Sequence, residues 1–119
     1  MSKKKSVFVN NLKTFKSNFT GEEVEYKINN ALWIFMQRDF DLTQREWAEK
    51  YDDQSAYYGS IFATCLLNSN GYKVDFDEVV QNTDAEDTAV LIMEYQNRLY
   101  AELEGLEENE EEEDKENPS

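Results

Sequence analysis

The sequence predicts a mainly α-helical domain of four to five helices, followed by a disordered acidic tail. Three observations carry this. Helix-start pairs recur along the chain, at Thr43 and Glu46, Asp75 and Glu78, and Thr83 and Glu86. In each, the first side chain takes an orphan backbone N–H while the acid three residues on reaches back. Residues 53–68 form a strongly apolar segment, DQSAYYGSIFATCLLN, whose apolar positions recur at helical spacing. The third observation is a C-terminal stretch in which apolar residues step by four and three into a run of glutamates.

From the N-terminus, residues 1–14 read as a basic segment, 15–106 as the helical domain and 107–119 as the tail. Residues 15–28 admit two structures. Phe8, Leu12, Phe15 and Phe19 fit a helix face. Phe15, Ser17 and Phe19, then Val24, Tyr26 and Ile28, also alternate as two strands would, with Gly21 between them. Intervening Glu25 and Lys27 favour the strands, so an N-terminal β-hairpin is the preferred reading. Asn29 or Asn30 then caps a helix through Ala31–Met36. After Thr43, Trp47 and Tyr51 fall one turn apart on a short amphipathic helix.

In the apolar segment, Tyr57, Ile61 and Cys65 form one stripe and Tyr58, Phe62 and Leu66 the next, so this helix is expected to be central and buried. Asn70-Gly71 supplies the left-handed residue that ends it. A short helix is expected over 76–81 and a long one from about Asp84 to Gly105. On the long helix Ala85, Ala89, Ile92, Gln96, Leu99, Leu103 and Leu106 follow coiled-coil spacing. Such a stripe ordinarily packs on its own domain. Its last turns pass the expected body, making Leu99, Leu103 and Leu106 the candidate partner-binding residues, with self-association left open.

Composition narrows the function. The chain has 119 residues, net charge −14, no His and one Cys. No His removes most acid–base, nucleophilic and zinc chemistry. A single Cys forbids an internal disulfide, and with no signal-peptide pattern the chain reads as cytosolic. The longest apolar run, Ile61–Leu67, is too short to span a bilayer. The charge is unevenly placed. Residues 1–19 carry five Lys and no acid, 20–103 carry 17 acids and six bases, and 104–119 carry nine acids and one Lys. Repulsion in the last segment, with almost nothing apolar to bury, predicts disorder from about Glu107. The negative balance also argues against nucleic acid or anionic membrane as a partner.

No catalytic or cofactor constellation emerges. Cys65 lies in the apolar run, where its thiol should be protonated and inert. Gly21, Gly59, Gly71 and Gly105 are scattered and form no phosphate loop. Asp75, Asp77 and Glu78 begin like a calcium loop, but Val79-Val80 follows where another ligand is needed. Asp39 with Asp41, and Asp52 with Asp53, read as solvated surface. Trp33 and Trp47 with seven Tyr and seven Phe supply the core, with one or two available to anchor a partner.

The run VEYKINNALWIFMQRDFDLTQREWAEKYDDQ, with SIFATCLLNSNGYKVDFDEVVQNTD after it, resembles the tail assembly chaperones of long-tailed, siphovirus-type bacteriophages. In that family a polar strand leads into an apolar helix ending near a leucine-threonine corner, here Asp41-Leu42-Thr43. A very apolar helix then precedes an acidic-x-x-valine helix, here Asp75 to Val79. The likeness covers about residues 15–104; the Lys-rich start and very acidic tail depart from it. It implies a non-enzymatic protein that binds the tape measure protein in the host cytoplasm and keeps it soluble. It also implies help in recruiting tail-tube protein, absence from the mature virion, and correspondence to the short product where a longer frameshifted one is also made.

Two other classes remain. The charge suits an acidic, nucleic-acid-mimicking inhibitor, such as a phage-encoded blocker of a host nuclease, although much of it lies in the expected tail. A minor phage structural protein or a small regulatory adaptor is the other.

Overall fold

The computed structural model describes residues 7–8 and 12–116, with side-chain surroundings given as far as Ala101. The segment that admitted two structures is a hairpin. Strand β1 (Thr14–Ser17) pairs antiparallel with β2 (Val24–Lys27), placing Phe15 opposite Tyr26 and Ser17 opposite Val24. Alternation decides the outcome: Phe15, Ser17 and Tyr26 are buried while Lys16, Glu25 and Lys27 face outward. Gly21, at φ +104°, lies in the connection and donates its N–H to Asn18 O at 2.9 Å. Phe19 sits in this connection and does not prolong the strand.

Five helices follow: α1 (Ala31–Phe40), α2 (Gln44–Tyr51), α3 (Ser55–Ser69), α4 (Phe76–Asn82) and α5 (Ala85–Glu116). Of the two Asn expected to cap α1, Asn29 does so, its Oδ1 accepting from Ala31 N–H at 3.1 Å, whereas Asn30 makes no capping bond. The helix stops at Asp41, whose φ of 57° is left-handed, a conformation that a short polar side chain tolerates. At α2 the full reciprocal box forms: Glu46 N–H donates to Thr43 Oγ1 at 3.1 Å and Thr43 N–H to Glu46 Oε1 at 2.9 Å. Asp75 caps α4 by accepting from Glu78 N–H at 2.8 Å.

At α5 the box lies one residue later than the spacing predicts. Asp87 N–H donates to Asp84 Oδ1 at 2.8 Å and Asp84 N–H to Asp87 Oδ2 at 3.0 Å. Thr83 is occupied elsewhere: its hydroxyl donates to Val79 O at 2.7 Å and closes the end of α4. The next residue therefore caps α5.

Helix α3 is the centre, as its composition predicts. Gly59 through Leu67 are all buried, and α1, α2, α4 and α5 pack against it. Burying side chains such as Ile61, Phe62 and Leu66 is worth roughly 1.5–3 kcal/mol each. Two hydroxyls in this apolar setting bond back along the helix, Ser60 to Ala56 O and Thr64 to Ser60 O, both at 2.8 Å. Gly59 lets α5 approach closely: a Cβ there would stand 3.1 Å from Thr88 Oγ1. Aromatic rings then link the layers. Trp47 lies 5.3 Å from Phe62, Phe62 lies 5.0 Å from Tyr95, and Tyr95 lies 6.0 Å from Phe15 between ring centres. Trp47 Nε1 also donates to Tyr58 O at 2.7 Å.

The end of α3 ties the hairpin to the helices. Tyr72 N–H donates to Leu67 O and Gly71 N–H to Asn68 O, both at 3.1 Å, with Gly71 at the required positive φ of +97°. Two carboxamides then act as short strand edges. Asn70 accepts from Lys27 N–H at 2.7 Å and donates to Lys27 O at 3.1 Å. Asn68 does the same for Val74, accepting at 2.9 Å and donating at 3.0 Å.

Helix α5 buries Thr88, Leu91, Ile92 and Tyr95, with Leu99 packed against the core. The expected coiled-coil stripe is therefore only partly the docking face: Ala85 and Ala89 are exposed. Its backbone stays helical to Glu116, past the expected end near Gly105, in keeping with the good helix propensity of Glu. Side chains of 107–119, read as a disordered tail, lie outside the described set, as does most of the basic segment 1–14. Among the described residues no helix is long and apolar enough to cross a membrane.

Candidate partner-binding groove

The first turn of α3, the outer face of α4 and the start of α5 enclose a groove of about 300 Å³. Its apolar wall is Ala56, Tyr57, Phe76, Val80 and Ala85, and its polar lining is Ser60, Thr83 and Asp84. The helix starts explain the arrangement. Asp75 caps α4 so that Phe76 is its first residue and Val80 falls one turn later on the same side. Asp84 caps α5 at the far edge and leaves one carboxylate on the rim. Tyr57 stands 5.5 Å from Phe76 between ring centres, nearly edge-on at 69°, and 4.9 Å from Tyr58. Phe76 is braced from behind by Phe40 at 5.9 Å.

Two of these residues hold much apolar surface in solvent: Tyr57 is 49 % and Val80 38 % exposed. The stripe joining Tyr57 to Ile61 and Cys65 thus divides, Ile61 and Cys65 entering the core while Tyr57 stays outside. The polar lining is already engaged. Ser60 donates to Ala56 O, Thr83 donates to Val79 O, and Asp84 accepts from Asp87 N–H. What the groove presents to a visitor is an apolar, aromatic-walled slot with an acidic edge. A slot of this lining has the polarity to accept an aliphatic or aromatic side chain.

Two further cavities flank the hairpin connection. One, of about 280 Å³, lies between Phe19, Thr20, Leu67 and the Glu78–Thr83 side of α4. The other, of about 400 Å³, lies between Ser17, Asn18 and Phe19 and the acidic face of α5 at Glu86, Asp87 and Glu94. Beside the second, Glu94 Oε1 is buried without a hydrogen-bond partner. The Tyr26 phenol is pushed up, chiefly by burial, with lesser pushes from Tyr72 and Glu94 against a favourable contribution from Thr20. Among the described residues no group of three or more acidic or Cys side chains is placed to hold a metal ion.

Of the residues read from sequence as partner-binding, Leu99 is packed against the domain's own core, and the side chains of Leu103 and Leu106 are outside the described set. Cys65 is 1 % exposed, and its thiol is pushed up to about 12, chiefly by burial. Tyr57, Phe76 and Val80 were missed as a site because they come from different elements; only their clustering in space reveals the groove. Comparison with protein-family models, with curated proteins and with solved structures finds no match.

Proposed function

We propose that this chain is a non-enzymatic, client-binding assembly protein, and specifically a tail assembly chaperone of a long-tailed bacteriophage. Its client is the tape measure protein, held soluble in the host cytoplasm while tail-tube protein is recruited, and the chaperone is left out of the finished virion. The observation that carries the client-binding part is the apolar groove of Tyr57, Phe76 and Val80, whose polar lining is satisfied internally. A long helical client presents aliphatic and aromatic side chains at helical spacing, and those fit such a slot. The negative charge supports the same role, because a chaperone covering apolar surface must itself resist association. The phage assignment rests on the resemblance of the strand–helix–helix and helix–helix blocks.

Co-expression tests this. The chain should bring a tape measure protein into the soluble fraction as a complex. Tyr57→Asp with Val80→Asp should abolish that rescue while far-UV circular dichroism and melting temperature stay close to those of the parent. A client that remains insoluble with the parent chain sinks the proposal. The acidic face of α5 gives a second reading, a nucleic-acid-mimicking inhibitor, some support. It requires displacement of DNA from a basic host nuclease, which Glu86→Lys with Asp87→Lys would remove. Recovery of the protein from purified virions would instead favour a structural component.

A further inference from the structure

We propose that the cavity between the β-hairpin and α5 receives one arginine side chain presented by a partner chain. Two polar groups in its wall lack a counterpart within the fold. Glu94 Oε1 is buried and accepts no hydrogen bond. Ser17 is 3 % exposed and lines the same cavity, turned with Phe15 towards α5 by the alternation of β1. Its hydroxyl makes no hydrogen bond among the described residues. Arg98, one turn beyond Glu94, directs its Nε to Thr14 O at 3.0 Å. Buried polar groups ordinarily have partners, and an unmatched carboxylate oxygen is more costly than an unmatched neutral one. A visitor that brings N–H donors here makes the bonds that the fold leaves unmade.

Charge and shape select the visitor. The cavity measures about 400 Å³ and sets Glu86, Asp87 and Glu94 of α5 beside Phe19 and Val90, with no lysine or arginine in its lining. The acids are too dispersed for a metal ion. Glu86 and Glu94 stand about 12 Å apart along the helix, and among the described residues no three such side chains are gathered to hold one. An organic cation suits the site better. The methylene stem of a basic side chain can lie on Val90, itself 39 % exposed, and on the Phe19 ring while its charged head reaches Glu94 and Ser17. Of the two basic side chains, arginine fits best. Its guanidinium offers several N–H groups in one plane, enough for a carboxylate and a hydroxyl oxygen together. It also sheds water more readily than an ammonium and stacks on aromatic faces. None of the lining residues belongs to the groove of Tyr57, Phe76 and Val80.

Titrating the full, ¹⁵N-labelled chain with N-acetyl-arginine amide, followed by amide chemical shifts, tests the proposal. Shifts should saturate at 17–19 and 86–94 with a low-millimolar Kd. Binding should be about tenfold weaker for N-acetyl-lysine amide and absent for N-acetyl-norleucine amide. Glu94→Gln should weaken arginine binding about tenfold and Ser17→Ala about threefold. The melting temperature of Glu94→Gln should hold or rise, because the substitution removes a carboxylate oxygen that has no partner. Half-molar salt should weaken binding to the parent. No saturable shift, equal binding of the three compounds, or unchanged affinity in Glu94→Gln overturns the proposal; a cavity that holds only water gives the first of these. The three compounds on the parent chain decide the matter even if a variant fails to fold. None of these outcomes depends on the client proposed above.

Discussion

Replacing Asn70 should loosen the link between strand β2 and the end of α3, while Phe15, Tyr26 and the Arg98–Thr14 bond still hold the hairpin to the core. Its carboxamide accepts from Lys27 N–H at 2.7 Å and donates to Lys27 O and Leu66 O, each at 3.1 Å. A net hydrogen bond is worth about 0.5–1.5 kcal/mol, and the two bonds to Lys27 are exposed enough to sit low in that range. Asn70→Ala should therefore cost about 1.5–2.5 kcal/mol, read as a shift in urea midpoint at unchanged slope. For a domain of this size that corresponds to roughly 8–15 °C in melting temperature. Asn70→Asp sharpens the test. It keeps the acceptor for Lys27 N–H but sets a carboxylate against two carbonyl oxygens. That repulsion raises the folded-state pKa of the new carboxyl above its unfolded value near 4. The group's contribution is then fully present below the unfolded pKa and lost as pH rises through the folded one. The deficit of Asn70→Asp relative to the parent should accordingly shrink as pH falls towards 4 and be largest at neutral pH. If Asn70→Ala lies within 0.5 kcal/mol of the parent, or the Asp deficit grows on acidification, the clamp is not what couples β2 to α3.

Two further predictions follow from local geometry. Asp84→Ala should cost about 1 kcal/mol through loss of the α5 cap, and Thr83→Ala clearly less, measured by urea unfolding; the reverse order would restore the cap to Thr83. At pH 8 Cys65 should react with Ellman's reagent about a hundredfold more slowly in the native protein than in denaturing urea. Its folded-state pKa of about 12 exceeds the unfolded value, so its stabilisation is intact below roughly pH 8.5 and declines as pH rises towards 12. A thiol that reacts equally fast in both states would contradict its burial.

What could be read from sequence depended on how far apart the determining residues lie. Helix α3 was legible because its apolar residues nearly surround it, and any fold must then place it at the centre. The capping box of Thr43 and Glu46 was legible because all its atoms lie within one turn. The cap of α5 was misplaced by one residue because Thr83 had a second possible partner, Val79 O, which the spacing alone does not weigh. The clamp of Asn70 on Lys27 was invisible, since it joins residues far apart in sequence through groups that most Asn residues spend on local turns. Tyr57 was grouped with Ile61 and Cys65 by correct helical arithmetic. The arithmetic does not say where the neighbouring helices stop covering that face. The groove lies where the first turn of α3 leaves Tyr57 half exposed beside Phe76 and Val80.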